Sequence, residues 1–255
     1  MVKIMEIENV QPNIALKVER DVPDNKRRTV ILNIAIMGIL TALETILTTT
    51  VSIPIPATTG YFNVGEGLIY FTAVLFGPYI GAFVGGVGAA FADILGPYAI
   101  FAPGTFIAKG AEGFIVGLVF KYLQSNENLK NNWRIFTIIL GVVAGGLMAI
   151  FADGVFPIII LGVILAVIIW ILGLTVQKNI SVKILSMMAG GMAMVLGYFL
   201  YESLILNLIS PGYFSNPLNA AVIEIPLNIL QVLSGIFIAI PLITALEPVV
   251  KNYYK

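Results

Sequence analysis

The sequence predicts an all-α protein, a polytopic transmembrane helical bundle. Of its 255 residues 58% are hydrophobic and only 11% are charged. The mean hydropathy is +0.97, and long apolar stretches recur between short loops that hold most of the proline, glycine and charge. This composition is typical of a chain that crosses a bilayer several times.

The chain begins with a charged segment, residues 1–28, that lacks the apolar core of a signal peptide. We expect it to be a cytoplasmic tail ahead of a single transmembrane domain, residues 29–250. A proline directly after Gly77 removes a backbone donor and divides residues 62–95 into two short helices. The predicted spans are, in order, 29–50, 62–76, 78–95, a helix from the end of loop 96–104 to about 122, 133–152, 157–176, 182–209 and 219–246.

The distribution of charge predicts an even number of spans. With the N-terminus inside, every Lys and Arg except Lys109 lies on the cytoplasmic side, as the positive-inside rule expects. Both termini are then cytoplasmic, and the plasma membrane is the expected location. Eight spans are predicted, and six remain the alternative if the pair at 133–176 dips into the bilayer without crossing it.

Several functions are excluded by residue types that the sequence lacks. It contains no Cys and no His, so disulfides, thiol catalysis, the usual zinc sites and histidine acid–base chemistry are excluded. The 14 basic and 14 acidic residues balance, and nothing indicates a nucleic-acid partner. From the sequence we predict no metal site, no cofactor and no catalytic residue.

The most informative stretch is 60–113, which is apolar almost throughout. An ionisable group in hydrocarbon costs several kcal/mol, so each one in a span is a candidate functional residue. Small residues four apart on the same stretch predict close packing of one helix on another. The polar residues are Asn63, Glu66, Asp93, Lys109 and Glu112, and the small ones are Gly77, Gly81, Gly85 and Ala89.

Helical spacing extends this candidate site to later spans. A polar stripe on a membrane helix is unfavourable against lipid, so it should face the bundle interior. Three helices carry such predicted stripes: Phe106, Lys109 and Glu112 share one face, as do Tyr198 and Glu202 and, on the last span, Glu224, Asn228 and Gln231. Aromatic residues at the same depth suit either a ligand pocket or an interfacial belt. The candidate substrate-binding residues are Asn63, Glu66, Phe106, Lys109, Glu112, Tyr198, Glu202, Glu224, Asn228 and Gln231.

Structural roles compete with these assignments. Glu44 and Asp93 also suit ordinary helix ends at the water boundary. Lys109 suits a structural ion pair with Glu112 at i+3, or with Glu66 or Asp93 across the bundle.

Three motifs give the sequence a family resemblance: KGAEG at 109–113, GYFLYE at 197–202 and EIPLNILQ at 224–231. With them, the sequence is similar to the substrate-binding S component of energy-coupling factor (ECF) transporters, in the riboflavin-type branch. The resemblance covers about 29–123 and 185–250. It implies a six-helix core into which 133–176 is inserted as a helical hairpin.

The resemblance also implies a function and partners. An S component binds a vitamin or vitamin precursor, such as riboflavin or a thiamin or pyrimidine precursor, with high affinity at the outer membrane surface. It works with a transmembrane T component and two ABC ATPases, which agrees with the lack of a P-loop in this sequence. The resemblance places docking to the T component on small residues of the first helix, Ala35, Gly38 and Ala42.

Two other classes of protein remain open from the residues alone. A proton-coupled secondary transporter of a small polar heterocycle would use Glu202 and Glu224 as a proton relay. A membrane enzyme would need a carboxylate pair such as Glu66 and Asp93. The substrate is open as well: the outer carboxylates suit a neutral or cationic heterocycle, whereas Lys109 suits one that carries a carboxylate.

Overall fold

The computed structural model describes residues 24–55, 60–151 and 178–253, with isolated helical positions between 160 and 171. These parts are mainly helical, with short connecting turns and one very short strand pair. The first helices are α1 (Asp24–Thr50), α2 (Glu66–Phe76), α3 (Pro78–Leu95) and α4 (Ala102–Ser125). They are followed by α5 (Glu127–Asn131), α6 (Trp133–Phe151), α7 (Lys178–Leu200), a π-helical turn (Tyr201–Ile205), α8 (Leu206–Ile209) and α9 (Pro217–Tyr253).

Some element bounds differ from the predicted ones. α1 begins at Asp24, inside the segment predicted to be a tail, and α9 continues to Tyr253. The connection between the predicted spans 29–50 and 62–76 contains a strand, β1 (Ile53–Pro54), which pairs antiparallel with β2 (Tyr61–Phe62). Most of the predicted tail and most of the predicted helix 157–176 lie outside the described residues.

The break between α2 and α3 lies where the sequence predicts it. Gly77 has φ +93°, a left-handed conformation that favours glycine. Pro78 then starts α3, a position where its missing N–H costs no helical hydrogen bond. The two residues together end one helix and begin the next, which brings α2 and α3 into contact.

The small-residue ladder lies where α3 packs on α4. A Cβ added at Gly85 would lie 2.7 Å from the carbonyl oxygen of Lys109, and one at Gly86 would lie 2.8 Å from that of Phe106. Only glycine allows two backbones to approach so closely. This contact fixes the height of α4, and with it the position of Lys109, relative to α3.

Four of the described helices are long and apolar enough to cross a membrane: Arg27–Thr50, Pro78–Leu95, Lys178–Ile209 and Pro217–Lys251. α2 is too short to do so alone, since its 11 residues rise only about 16 Å of a core of about 30 Å. The chain is thus an all-α membrane protein. The eight spans and the six-helix core remain predictions.

α1 is loosely attached to the rest of the bundle along most of its length. Only 6% of its most apolar stretch is buried, and its contacts are concentrated near its C-terminal end, where Glu44 and Thr48 are buried. Ala35, Gly38 and Ala42 are all exposed. A Cβ added at Gly38 would meet no atom within 4 Å.

Candidate substrate-binding site

Five elements meet at one end of the bundle and enclose a polar cavity: β2, the C-terminal end of α3, the start of α4, the end of α7 with its π-helical turn, and the first turns of α9. The cavity holds about 30 Å³, space for about one or two water molecules. Its lining residues are Gly60, Tyr61, Asn63, Asp93, Phe101, Thr105, Tyr198, Glu202, Glu224, Asn228 and Gln231.

Tyrosine and phenylalanine side chains close this cavity. The Tyr61 hydroxyl donates to Asp93 Oδ1 at 2.6 Å, and the Tyr61 ring lies 4.3 Å from the ring of Tyr98. Burial and the nearby Asp93 carboxylate raise the pKa of Tyr61, so its hydroxyl remains a donor. The Tyr201 hydroxyl ties the loop before α4 to the π-helical turn by donating to the Ile100 carbonyl at 2.6 Å.

The π-helical turn places Glu202 in the cavity wall. Such turns insert one extra residue into a helix and occur frequently at functional sites. Here the turn spans Tyr201–Ile205, and Glu202 within it is buried. Its carboxyl group lies within hydrogen-bonding reach of that of Glu224 on α9.

The polar stripe of α9 faces the interior, as its spacing predicts. Glu224, Asn228 and Gln231 are all buried and all line the cavity. Pro226 lies between them inside the helix, where it removes one backbone hydrogen bond and favours a bend.

A network of buried charges lies directly against the cavity. Lys109 Nζ forms an ion pair with Glu66 Oε1 and lies 3.5 Å from Glu112 Oε2. Gln231 Nε2 donates to the same Glu66 oxygen at 2.7 Å, and the Tyr70 hydroxyl donates to Glu112 Oε1 at 2.7 Å. Gln231 thus belongs to both the network and the cavity wall.

The family model described as "ECF-type riboflavin transporter, S component" matches residues 28–169, more than half of the chain. The chain belongs to the riboflavin-type S-component family. The match runs through most of 133–176 and ends before α7, so the prediction that this segment is an insertion is not settled by it.

One curated relative is also similar to this S component. It is a protein of Pyrococcus woesei described as an "uncharacterized protein in gap 3′region", 45% identical over 106 residues. The aligned part makes up 42% of this chain and 65% of the relative. The match therefore spans less than two thirds of the relative.

The structure separates the predicted site residues of this S component into two connected groups. Asn63, Tyr198, Glu202 and the three residues of the α9 stripe line the cavity. Glu66, Lys109 and Glu112 form the ion-pair network. Asn63 has a local role as well, because its Oδ1 accepts from the backbone N–H of Gly65 at the start of α2.

Phe106 lies away from both groups. It was predicted to share a face with Lys109 and Glu112, but its side chain is 52% exposed. With 3.6 residues per turn, two residues that are six apart, such as Phe106 and Glu112, point in directions about 120° apart around the helix axis. The face directed to the cavity is instead continued by Thr105, which lies at i−4 from Lys109 and accepts from the Tyr198 hydroxyl at 3.1 Å.

Five lining residues are absent from the substrate-binding residues chosen from the sequence: Gly60, Tyr61, Asp93, Phe101 and Thr105. Thr105 could have been chosen from the sequence, because it lies four residues before Lys109 and therefore on the same helix face as Lys109 and Glu112. The structure shows it buried, like both of them. Asp93 was recognised as a membrane carboxylate but also suited a helix end. Nothing in the sequence indicates that Tyr61 bonds to Asp93, because this contact depends on how the strand pair folds over α3.

Proposed function

We propose that this chain is the membrane-embedded, high-affinity substrate-binding subunit of an ECF-type importer for a vitamin or vitamin precursor. The observation that carries the proposal is the polar cavity at one end of the bundle in a chain that belongs to the S-component family. Aromatic rings and a few convergent polar groups form its walls, as in sites that bind flat polar molecules.

Charge distribution supports an extracellular cavity. The described basic residues other than Lys109 lie away from the cavity, at the start of α1, in the α4–α6 connection and along the far ends of α7 and α9. By the positive-inside rule that opposite end is cytoplasmic. Both termini and the energising partners would then lie on the cytoplasmic side.

The size of the cavity implies that the loops move when ligand binds. Pockets for small molecules typically measure about 300–1,000 Å³, whereas this one holds about 30 Å³. The groups that close it are β2 with the adjoining Gly60, the loop before α4 and the aromatic segment around Tyr213 and Phe214, which packs on Phe101 and Tyr201. Outward displacement of these three segments would admit a vitamin-sized ligand without moving the membrane helices.

The remaining partners follow from the family. We propose that a transmembrane T component docks on the exposed face of α1 and that two ABC ATPases supply energy. The small residues Ala35, Gly38 and Ala42 are exposed there, and helix association in lipid depends on such close backbone approach.

Ligand binding by the purified chain tests the proposal. Native mass spectrometry should detect a bound small molecule, and titration with riboflavin, as the first probe, should show saturable binding by flavin fluorescence. Asn228→Leu should weaken binding of the detected ligand by about tenfold, since an unmet polar partner in a closed site costs about 1–3 kcal/mol. Asn179→Leu, at the exposed far end of α7, is the control and should bind normally.

Two results would contradict the proposal. The first is the absence of saturable binding for riboflavin and for every small molecule extracted from the native membrane. The second is uptake driven by a proton gradient in liposomes that contain this chain alone, which would favour a secondary transporter.

A further inference from the structure

Among the residues that the structure describes, those that line the cavity include carboxyl groups and no basic side chain. Asp93, Glu202 and Glu224 all line it and are all buried. The described lining residues include no Lys or Arg. A ligand in this space therefore meets three carboxyl groups and no cationic side chain among the described lining residues, which favours hydrogen-bond donors and positive charge over a carboxylate or phosphate.

Two of these carboxyl groups have an oxygen without a hydrogen-bond partner among the described residues, Asp93 Oδ2 and Glu202 Oε2. The side chains of Asp93 and Glu202 are 0% and 1% exposed. Buried polar atoms are nearly always hydrogen-bonded, and an unmatched one needs an explanation. Both oxygens belong to residues that line the same cavity, so a donor placed there would satisfy them.

The nearest lysine does not supply that donor. Lys109 is committed to Glu66 and Glu112, and the Gln231 amide nitrogen is committed to Glu66. The Tyr61 hydroxyl is used on the other oxygen of Asp93. These three donors are thus already engaged, whereas Asp93 Oδ2 and Glu202 Oε2 have no hydrogen-bond partner among the described residues.

A bare metal ion does not fit this arrangement. Among the residues that the structure describes, no group of three or more acidic side chains converges to hold one. The three lining carboxyl groups come from α3, the π-helical turn and α9. The rings of Tyr61, Phe101 and Tyr198 line the same cavity, and aromatic faces attract organic cations.

We propose that the site selects a planar heterocycle that carries a protonated amine or an amidinium-like group, whose N–H donors bind Asp93 and Glu202. This inference rests on the proposed function and narrows its substrate class. It disfavours ligands whose main polar group is a carboxylate or a phosphate.

A set of three probes of equal shape and different charge tests the selectivity. Benzamidine (cation), benzamide (neutral) and benzoate (anion) are titrated against the full chain in nanodiscs, with saturation-transfer NMR as the readout. We expect benzamidine to bind at least tenfold more tightly than benzamide, and benzoate to bind most weakly. Asp93→Asn and Glu202→Gln should each remove most of the benzamidine preference, whereas Glu247→Gln, at the opposite end of α9, should preserve it.

Three outcomes would overturn the inference: equal binding of the three probes, binding of none, or a benzamidine preference that survives both substitutions in folded protein. If neither variant folds, the ranking of the probes on the unaltered chain decides alone. Riboflavin titration and copurification with the T component are measured in parallel. Riboflavin binding without a cation preference would reject this inference and leave the proposed function standing.

Discussion

The carboxylates of Glu66 and Glu112 hold Lys109 in the interior, where its side chain is only 2% exposed. Removing a partner of a buried ion pair leaves uncompensated charge and typically costs about 3–5 kcal/mol. Lys109→Met should therefore lower the melting temperature of the ligand-free protein markedly, measured in the same detergent as the parent. The sequence left a ligand contact and a structural ion pair open for this lysine, and the contacts favour the ion pair.

Lys251→Met is the matched control for that substitution. Lys251 pairs with Glu247 at 2.6 Å but is 65% exposed, and exposed pairs are worth about 0–1 kcal/mol. Its melting temperature should stay near that of the parent. An unchanged melting temperature for Lys109→Met, combined with weaker ligand binding, would restore the ligand-contact role.

At the scale of single residues, the sequence predicts which side chains face the interior where this follows from helical periodicity. The stripe Glu224, Asn228 and Gln231 is buried because its members share one side of a continuous helix. Phe106 shows the limit of this reasoning. Residues three apart on a helix share a face less exactly than residues four or seven apart, and whether Phe106 or Thr105 faces the cavity depends on how α4 is rotated against α3. Contacts between distant segments, such as Tyr61 with Asp93, carry no local signal.

At the scale of elements, the contact between α3 and α4 provides a direct test of close packing. A Cβ at Gly85 would lie 2.7 Å from a backbone oxygen, which cannot move without displacing α4. Gly85→Ala should therefore destabilise the fold by about 1–3 kcal/mol, the usual cost of overpacking. The measurement is thermal unfolding of the ligand-free protein, followed by tryptophan fluorescence or by light scattering.

Gly38→Ala on α1 is the control, since a Cβ there meets no atom within 4 Å. Alanine is also the better helix former, so this variant should be as stable as the parent or slightly more stable. Equal melting temperatures for the two variants would show that α3 and α4 are not held at this distance.

Regular elements were predictable to the extent that proline, glycine and hydropathy mark their ends. The Gly77–Pro78 break shows this, because both residues act through their own backbone geometry. The π-helical turn at Tyr201–Ile205 does not show in the sequence. Its residues also suit an α-helix, and the extra residue is accommodated only because the turn packs against α9 and the loop before α4.

The segment 133–176 gives a second prediction at this scale. α6 contacts α7 through a small cluster around Trp133, Leu123 and Leu185, and none of the described cavity-lining residues comes from this segment. Replacing about 133–177 with a short polar linker should leave a protein that binds the same ligand with affinity within about threefold. Loss of binding by a deletion protein that remains monodisperse would show that the segment supports the pocket.

At the scale of the whole molecule, the two ends of the bundle differ in their charge. The cavity end contains buried carboxyl groups and one paired lysine, whereas the other end carries exposed pairs such as Lys178 with Glu127. This asymmetry was visible in the sequence because the positive-inside rule depends on composition alone. The closed state of the cavity was not visible in the sequence, because it results from loops whose packing the sequence does not specify.

The last prediction concerns assembly with the T component through α1. Its exposed small residues form a face with no partner among the described residues, and small residues let a second helix approach closely in lipid. The double variant Gly38→Leu, Ala42→Leu should reduce copurification of a tagged T component at least tenfold when both are coexpressed. Ligand affinity of the isolated variant should be unchanged, because neither residue lines the cavity.

Gly146→Leu provides the matched control for the double variant. Gly146 is also an exposed glycine on an apolar helix, α6, and a Cβ there meets no atom within 4 Å. If the effect depends on the α1 face and not on any bulky residue facing lipid, Gly146→Leu should copurify with the T component as the parent does. Equal copurification of all three proteins would place the docking surface elsewhere on the bundle, whereas equal loss in both variants would indicate a general effect on insertion.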